Sequence, residues 1–205
     1  MSIHIILIIA ISLFSIMAFS RSELMYRFQL NAWSVVHRKQ YMRLLMHGFL
    51  HVDWMHLLVN MYVLYSFGYA VIFYFQHYLP GLSGLRFLLL FVTAIPLSAT
   101  YSVWKNRDNP NYNAVGASGG VSAVIFASIF FEPYNPILFF FAIKIPGIVF
   151  GVLYLVYSAY MARKQVDNVG HDAHFWGAVY GLLFPVISDP SLLNVFINKL
   201  FVFHW

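Results

Sequence analysis

The sequence predicts an all-α membrane protein with six transmembrane helices. Of its 205 residues, 61% are hydrophobic and 9% are charged, whereas about 25% of the residues in a typical soluble domain are charged. The seven acidic residues all fall between apolar runs. A chain of this length would otherwise suit one or two soluble domains, but this distribution of charge indicates a single integral membrane domain over residues 1–205.

Six apolar segments, separated by turn-forming sequences, are the basis of this prediction. The turn sequences include HYLPGLSG, NRDNPNYN and EPYNP, which are rich in the residues that favour turns. The first apolar segment lacks a preceding basic stretch, so we interpret it as a retained span rather than a cleaved signal peptide. The predicted spans are residues 3–19, 55–75, 84–104, 118–131, 136–161 and 173–187.

The long connection over residues 20–54 differs from the other loops. It contains Trp33, Tyr41 and several basic residues, which predicts a partly ordered loop lying in the membrane interface. The net charge of +5 is assigned to contact with lipid headgroups, because the basic residues form no stripe that would indicate nucleic-acid binding. The chain has no cysteine, which excludes disulfides, thiolate catalysis and thiolate metal sites.

Two of the predicted spans are too short to cross a bilayer. A full span needs about 20 residues for a hydrocarbon core of ~30 Å, and segments 118–131 and 173–187 cover only roughly 21–22 Å. Each must therefore begin below one membrane surface, where irregular backbone is tolerated only beside a water-filled cavity or inside the protein. The second, fourth and sixth spans run in the same direction, so the polar residues at their starts predict one recessed polar site.

Polar residues inside a membrane are candidates for function, and these spans begin with several. Ser118 opens the fourth span, His174 lies at the start of the sixth, and His56 and Asn60 lie at the start of the second.

Small residues accompany this polar site. Gly119 in the fourth span and Gly177 and Gly181 in the sixth have the spacing of a helix-packing face. We expect these glycines to bring the two helices close enough for the Ser118 hydroxyl to reach His174 at about 2.6–3.2 Å.

The same residues carry a resemblance to a known family. GASG at 116–119, His56 followed by Asn60, and AHFWGAVYG at 173–181 resemble the GxSG, HxxxN and AHxxGxxxG motifs of rhomboid intramembrane serine proteases. The motifs occur in order, each at the start of the expected span. The resemblance implies a six-transmembrane-helix rhomboid bundle and a serine endopeptidase that cleaves transmembrane or membrane-proximal segments of other membrane proteins.

The resemblance also implies roles for the site residues. Ser118 would be the nucleophile and His174 the general base, in a dyad without a carboxylate. This agrees with the absence of acidic residues from the apolar segments. His56 and Asn60, at i and i+4, share one helical face, and with the Ser118 backbone N–H they would stabilise the oxyanion.

Other residues would support this dyad. The resemblance begins near residue 40 and includes Arg43, His47 and His51, which we interpret as loop scaffolding that bonds backbone carbonyls. Gly116 would let the backbone curl toward the substrate carbonyl. His171, one turn before His174, is the rival base, and the family spacing to Gly177 favours His174.

One position departs from the family pattern. Many rhomboids carry an aromatic residue four positions after the nucleophile, stacked on the catalytic imidazole, and here that position is Ser122. The Ser122 hydroxyl, or a water that it holds, would bond His174, or an aromatic residue from elsewhere would fill the space. The third alternative is that Ser122 is only a small packing residue.

Two other functions remain open. The chain could be a catalytically silent rhomboid-like factor that binds membrane proteins, although both Ser118 and His174 are present. It could also be a haem protein that uses histidines such as His47, His51, His56 and His174. The HGFLH sequence lacks the Glu of the HExxH zinc motif. We therefore expect no metal or cofactor, and transmembrane substrates and lipids as partners. Lys144, inside the predicted fifth span, is interpreted as a snorkelling side chain.

Two arguments about the orientation in the membrane disagree. The resemblance implies a bacterial inner membrane protein with cytoplasmic termini and a site that opens to the outer side. The positive-inside rule would invert this topology, because the first, third and fifth loops hold nine basic residues and the opposite side only Arg86 and Lys199. We follow the family orientation, because basic side chains of an interfacial first loop can reach headgroups. The nine residues are Arg21, Arg27, Arg38, Lys39, Arg43, Lys105, Arg107, Arg163 and Lys164.

Overall fold

The computed structural model describes residues 2–139, 142–164 and 169–201. Within these residues the protein is mostly helical, as the sequence predicts, and helices stand at the positions of all six predicted spans. The helices are α1 (Ile3–Phe19), α2 (Ser22–Phe28), α3 (Ala32–His37), α4 (Arg43–Met46), α5 (Trp54–Tyr78), α6 (Ser83–Lys105), α7 (Ser118–Phe131), α8 (Gly147–Lys164), α9 (His171–Ser188) and α10 (Leu192–Phe201).

Fewer helices than expected have the length and the apolar composition that a membrane span requires. Among the described residues, α5 and α6 are long and apolar enough to cross a membrane. A third span is added if α1 and α2, which are bent by 119° at their break, count as one. The 14-residue α7 is too short. The structure therefore supports a helical membrane protein but does not confirm six spans.

The predicted fifth span is wrong in its first part. Strands β3 (Pro136–Phe139) and β4 (Ile143–Pro146) form an antiparallel hairpin, and α8 begins only at Gly147. Proline at each end disfavours a continuous helix, and isoleucine and phenylalanine between them favour strands. Lys144 consequently lies in β4 rather than in a transmembrane helix.

Helix α7 forms the centre of the bundle. Every residue from Gly119 to Phe131 is buried, and α7 packs against α5, α6, α8 and α9. Small residues permit the closest of these contacts, because a Cβ on Gly177 or Gly181 of α9 would meet the backbone carbonyl oxygen of Gly119 or Ala123, respectively. The core around α7 is therefore built on direct backbone approach as well as on large apolar side chains.

The long first connection is ordered rather than extended. It contains α2, α3, α4 and a 3₁₀ turn at His47–Phe49. Its strand β1 (Leu30–Asn31) pairs with β2 (Asn113–Ala114), which lies shortly before α7. The Asn31 side chain accepts from Ser34 N at 2.8 Å and donates to Pro110 O at 2.9 Å. The first connection thus holds the segment that leads into α7.

Candidate active site

Ser118 is the first residue of α7 and is half-buried. Two residues earlier, Gly116 has φ +134°, a conformation that side-chain-bearing residues rarely adopt. The Gly116 N–H donates to His47 O at 3.0 Å. A Cβ at Gly116 would lie 2.7 Å from His56 Cε1 and 3.7 Å from Ser118 Oγ. The glycine therefore lets the backbone pass beside both the His56 ring and the Ser118 hydroxyl.

His174 lies in the first turn of α9, and the structure brings that turn against the start of α7. A Cβ on Gly119, the residue after Ser118, would lie 3.5 Å from the carbonyl oxygen of Ala173, the residue before His174. Ser118 and His174 are thus adjacent in sequence to two residues, Gly119 and Ala173, that lie close together. A hydrogen bond of about 2.6–3.2 Å between their side chains stays a prediction.

The two predicted oxyanion donors lie on the buried side of α5. The Asn60 side chain is buried and its Nδ2 donates to His56 O at 2.9 Å. An amide nitrogen carries two protons, so this bond leaves one N–H of Asn60 for another acceptor. The His56 backbone N–H donates to Asp53 Oδ1 at 2.7 Å, a helix cap that fixes the start of α5.

Arg43 and His47 bond backbone carbonyls in the loop that precedes α5. Arg43 Nη1 donates to Tyr26 O and Gln29 O, each at 2.8 Å. His47 Nδ1 donates to Arg43 O at 3.0 Å, because a carbonyl only accepts. Burial lowers the pKa of His47 to about 4. This side chain is therefore neutral at pH 7 and holds the loop whose carbonyl receives the Gly116 N–H.

His51 is fully buried and is tied to α1. Ser15 Oγ donates its one proton to Phe49 O at 2.8 Å, so the Ser15 oxygen accepts from His51 Nδ1 at 2.8 Å. The His51 and His56 ring centroids are 4.9 Å apart. Burial, followed by the neighbouring His56, lowers the pKa of His51 to about 3. His51 is thus a neutral ring beside His56.

His171, the rival base, is the first residue of α9 and is buried. Its ring centroid lies 5.8 Å from that of His174 and 5.6 Å from that of Tyr157. Both histidines are therefore at the same end of α9.

Ser122 lies beside an aromatic residue of another helix. Its hydroxyl lies 2.6 Å from the Tyr154 hydroxyl of α8, and the Tyr154 and His174 ring centroids are 6.2 Å apart with 29° between their planes. The sequence analysis missed Tyr154. The sequence does indicate that Tyr154 faces another helix, because Tyr154 shares a helical face with the small residues Gly151 and Ser158.

The histidines named for the haem alternative lie in different elements. His47 and His51 belong to the loop before α5, His56 to α5 and His174 to α9. Within residues 2–139, 142–164 and 169–201, no three His, Asp or Glu side chains come together as a group that could hold a metal ion. His47 and His51 each use one ring nitrogen in a bond to the protein.

Comparison with known proteins agrees with the resemblance. The family model of the Rhomboid domain matches residues 38–189, which is more than half of the chain. The chain is also similar to "RHOMBOID-like protein 12, mitochondrial" from Arabidopsis thaliana, with 28% identity over 140 residues. That match covers 64% of this chain and 41% of the relative, so the chain spans about two fifths of the relative's length. The match to the family model shows that the chain belongs to the rhomboid family.

Proposed function

We propose that the protein is an intramembrane serine endopeptidase, with Ser118 as the nucleophile and His174 as the general base. The observation that supports this proposal most strongly is the meeting of α7 and α9 at their first turns. There, the glycine beside Ser118 contacts the residue beside His174. A hydroxyl and an imidazole at adjoining helix starts are the groups that nucleophilic acyl transfer requires.

The chemistry is that of a serine–histidine dyad. Ser118 Oγ attacks the peptide carbonyl carbon while His174 takes the hydroxyl proton. His174 then gives this proton to the leaving amine, which departs with the C-terminal part of the substrate and leaves an acyl ester on Ser118. A water molecule, deprotonated by His174, hydrolyses the ester, and the proton returns to Ser118. Each turnover consumes one peptide bond and one water.

The oxyanion would be stabilised by the Ser118 backbone N–H together with His56 and Asn60. The first backbone N–H groups of a helix have no partner within the helix, and the N–H of Ser118 is one of them. His56 lies against Gly116, and Asn60 retains one N–H. Removal of one such donor typically lowers the rate by about 10²–10³, so we expect an Asn60→Ala loss in this range.

The substrates would be membrane proteins cut within or next to a transmembrane segment. A helical substrate hides its carbonyl groups in intrahelical hydrogen bonds, so it must become extended before Ser118 can attack. We therefore expect cleavage at small residues in helices that unwind easily.

The experiment that tests the proposal is labelling with a fluorophosphonate probe, together with cleavage of a model transmembrane substrate in detergent. Ser118→Ala and His174→Ala should each abolish both signals, and the double variant should be no worse than either, because the two groups act as a unit. Ser66→Ala is the matched control, since Ser66 is an exposed helical serine that bonds Tyr62 O.

Three outcomes would change the proposal. Undiminished labelling of Ser118→Ala would exclude Ser118 as the nucleophile. Labelling that is lost in His171→Ala but retained in His174→Ala would move the base to His171. A folded wild-type protein that is neither labelled nor active would identify a silent rhomboid-like binding factor.

Membership of the rhomboid family indicates a membrane location. The expected bacterial inner membrane gains no support, because the matched relative is named as mitochondrial. For orientation, we keep cytoplasmic termini and a site that opens to the other side. Lys144 lies in the hairpin before α8, and in the proposed topology this connection would be on the side of Arg86 and Lys199. The excess of basic residues on the opposite side would then be reduced but not reversed. A reporter fused after Trp205 that is active only outside the cytoplasm would invert the proposed orientation.

A further inference from the structure

The space one turn below Ser118 is filled by a residue of another helix. Ser122 presents only a hydroxyl there, and Tyr154 of α8 reaches it at 2.6 Å between the two oxygens. The Tyr154 ring in turn lies 6.2 Å from the His174 ring, with 29° between the planes. We propose that Tyr154 is the positioning residue of His174 and that Ser122 holds Tyr154 in place, an inference that rests on the proposed function.

The Tyr154 ring is held by more than this one bond. Its centroid lies 5.5 Å from that of Phe126 on α7 and 5.7 Å from that of Phe150, one turn earlier on α8. The Ser122 hydroxyl forms a hydrogen bond with the Tyr154 hydroxyl at the far end of the ring. A tyrosine has two main side-chain torsions, and contacts at both the ring and the hydroxyl restrict both of them. The ring that faces His174 is therefore fixed before substrate arrives.

A fixed ring face can orient an imidazole. The second side-chain torsion of histidine is broad and poorly restricted by itself. Ring pairs with centroids about 4.5–7 Å apart are favourable beyond their simple burial, and the Tyr154–His174 pair falls within this range. Tyr154 thus limits rotation of the imidazole and keeps its proton-accepting nitrogen directed at one place.

This arrangement makes the base depend on two helices. Ser118 and Ser122 belong to α7, which is buried from Gly119 to its end, whereas Tyr154 belongs to α8. Within α8, which the structure describes throughout, only Gly147, Gly151 and Ser158 are buried. The position of the imidazole therefore depends on how this outer helix packs against the centre of the bundle.

The kinetic test separates the ring from the hydroxyl. Tyr154→Leu removes the ring and should lower kcat by about tenfold with KM changed by less than about twofold, because orientation of the base affects the chemical step. Tyr154→Phe and Ser122→Ala should each lower kcat by about three- to fivefold, and the double variant by no more than either, since both remove the same hydrogen bond. Tyr160→Leu is the matched control, because Tyr160 is an exposed tyrosine of the same helix.

A rescue variant excludes a purely structural explanation. Ser122→Phe combined with Tyr154→Ala returns an aromatic ring to the same space from α7, and it should recover at least about half of the kcat lost in Tyr154→Ala. A general loss of packing would not be repaired in this way. Failure of this rescue in a folded protein would overturn the positioning role.

A spectroscopic test does not require activity. In the Ser118→Ala background, the imidazole protons of His174 should shift in the NMR spectrum when Tyr154→Leu removes the neighbouring ring current, and should not shift with Tyr160→Leu. An unchanged His174 signal together with unchanged kcat in folded Tyr154→Leu would overturn the inference. If Ser118→Ala itself retained cleavage, the proposed function would fail, while the NMR result would still decide whether Tyr154 orients this ring.

Discussion

Helices α7 and α8 are both rich in apolar residues but have opposite environments. All residues of α7 after Ser118 are buried, whereas α8 buries only two glycines and a serine among its 18 residues. Its large side chains, such as Val152, Leu153 and Val156, face outward. Because lipid is as apolar as a protein core, large apolar side chains suit both environments, whereas the small residues of α7 permit its close packing at the centre of the bundle. The difference places the candidate nucleophile on the buried central helix and the aromatic neighbour of its base on the outer helix.

The largest effect is expected from adding one methyl group where α9 meets α7. In Gly181→Ala, the new Cβ would overlap the Ala123 carbonyl oxygen and lie 2.7 Å from the Ala123 Cα. Backbone atoms cannot rotate away as a side chain can, so the helices must separate. We expect a loss of about 3 kcal/mol or more in unfolding free energy, at the upper end of overpacking costs, measured by thermal or denaturant unfolding in detergent.

The matched control is the same substitution where α8 meets α7. In Gly151→Ala the new Cβ would lie 3.4 Å from the side-chain ends of Ile129 and Phe126, which is ordinary contact with groups that can shift. Alanine also favours a helix over glycine by about 1 kcal/mol, so Gly151→Ala should be neutral or stabilising. Equal destabilisation by the two substitutions would contradict the comparison of the two contacts.

A smaller effect per residue is expected from pH, because the loop that holds the start of α7 depends on neutral histidines. Burial lowers the pKa of His47 to about 4 and of His51 to about 3, below the value of about 6.5 in an unfolded chain. Their contribution is fully present above pH 6.5 and is lost as the pH falls toward the folded values. At pH 5 each of these two histidines should have lowered the unfolding free energy of the protein by about 2 kcal/mol, at about 1.4 kcal/mol per pH unit.

The measurement is the midpoint of thermal unfolding between pH 7.5 and pH 5. His51→Gln, which removes one titrating ring, should make the decline shallower, although the variant will be less stable at pH 7.5. His77→Gln is the control, since His77 is an exposed residue near the end of α5, and it should leave the slope unchanged. A wild-type midpoint that stays constant over this range would show that the two buried rings do not control the stability of the loop.

The smallest effect is expected at the last turn of α8. Lys105 of α6 donates to Ala162 O at 3.3 Å and to Asp172 Oδ2 at 3.4 Å, so it joins the ends of α6, α8 and α9. Its side chain is 28% exposed, and exposed ion pairs contribute about 0–1 kcal/mol. Lys105→Met should change the unfolding free energy by less than about 1 kcal/mol and leave kcat unchanged. A loss as large as that of Gly181→Ala would show that α8 is held by its end rather than by its packed face.

The sequence by itself determined most of the helical segments and the positions of the site residues at the starts of helices. The bounds of α1 and α7 coincide with the predicted segments at 3–19 and 118–131. Ser118, His174 and His56 were expected at the starts of three parallel helices, and the structure places them in the first turns of α7, α9 and α5. These features follow from local physics, since apolar runs of a given length and their polar boundaries are visible along the chain.

Only the tertiary structure decided the hairpin at 136–146 and the neighbour of His174. The hairpin segment is as apolar as a helix, and the pairing of Pro136–Phe139 with Ile143–Pro146 is a choice that hydropathy does not record. Ser122 and Tyr154 meet across 32 positions of sequence. That contact depends on the rotation of α8 about its own axis against α7, which brings Gly151 toward Phe126 and Ile129. Such a rotation is a property of two packed surfaces, and neither segment specifies it alone.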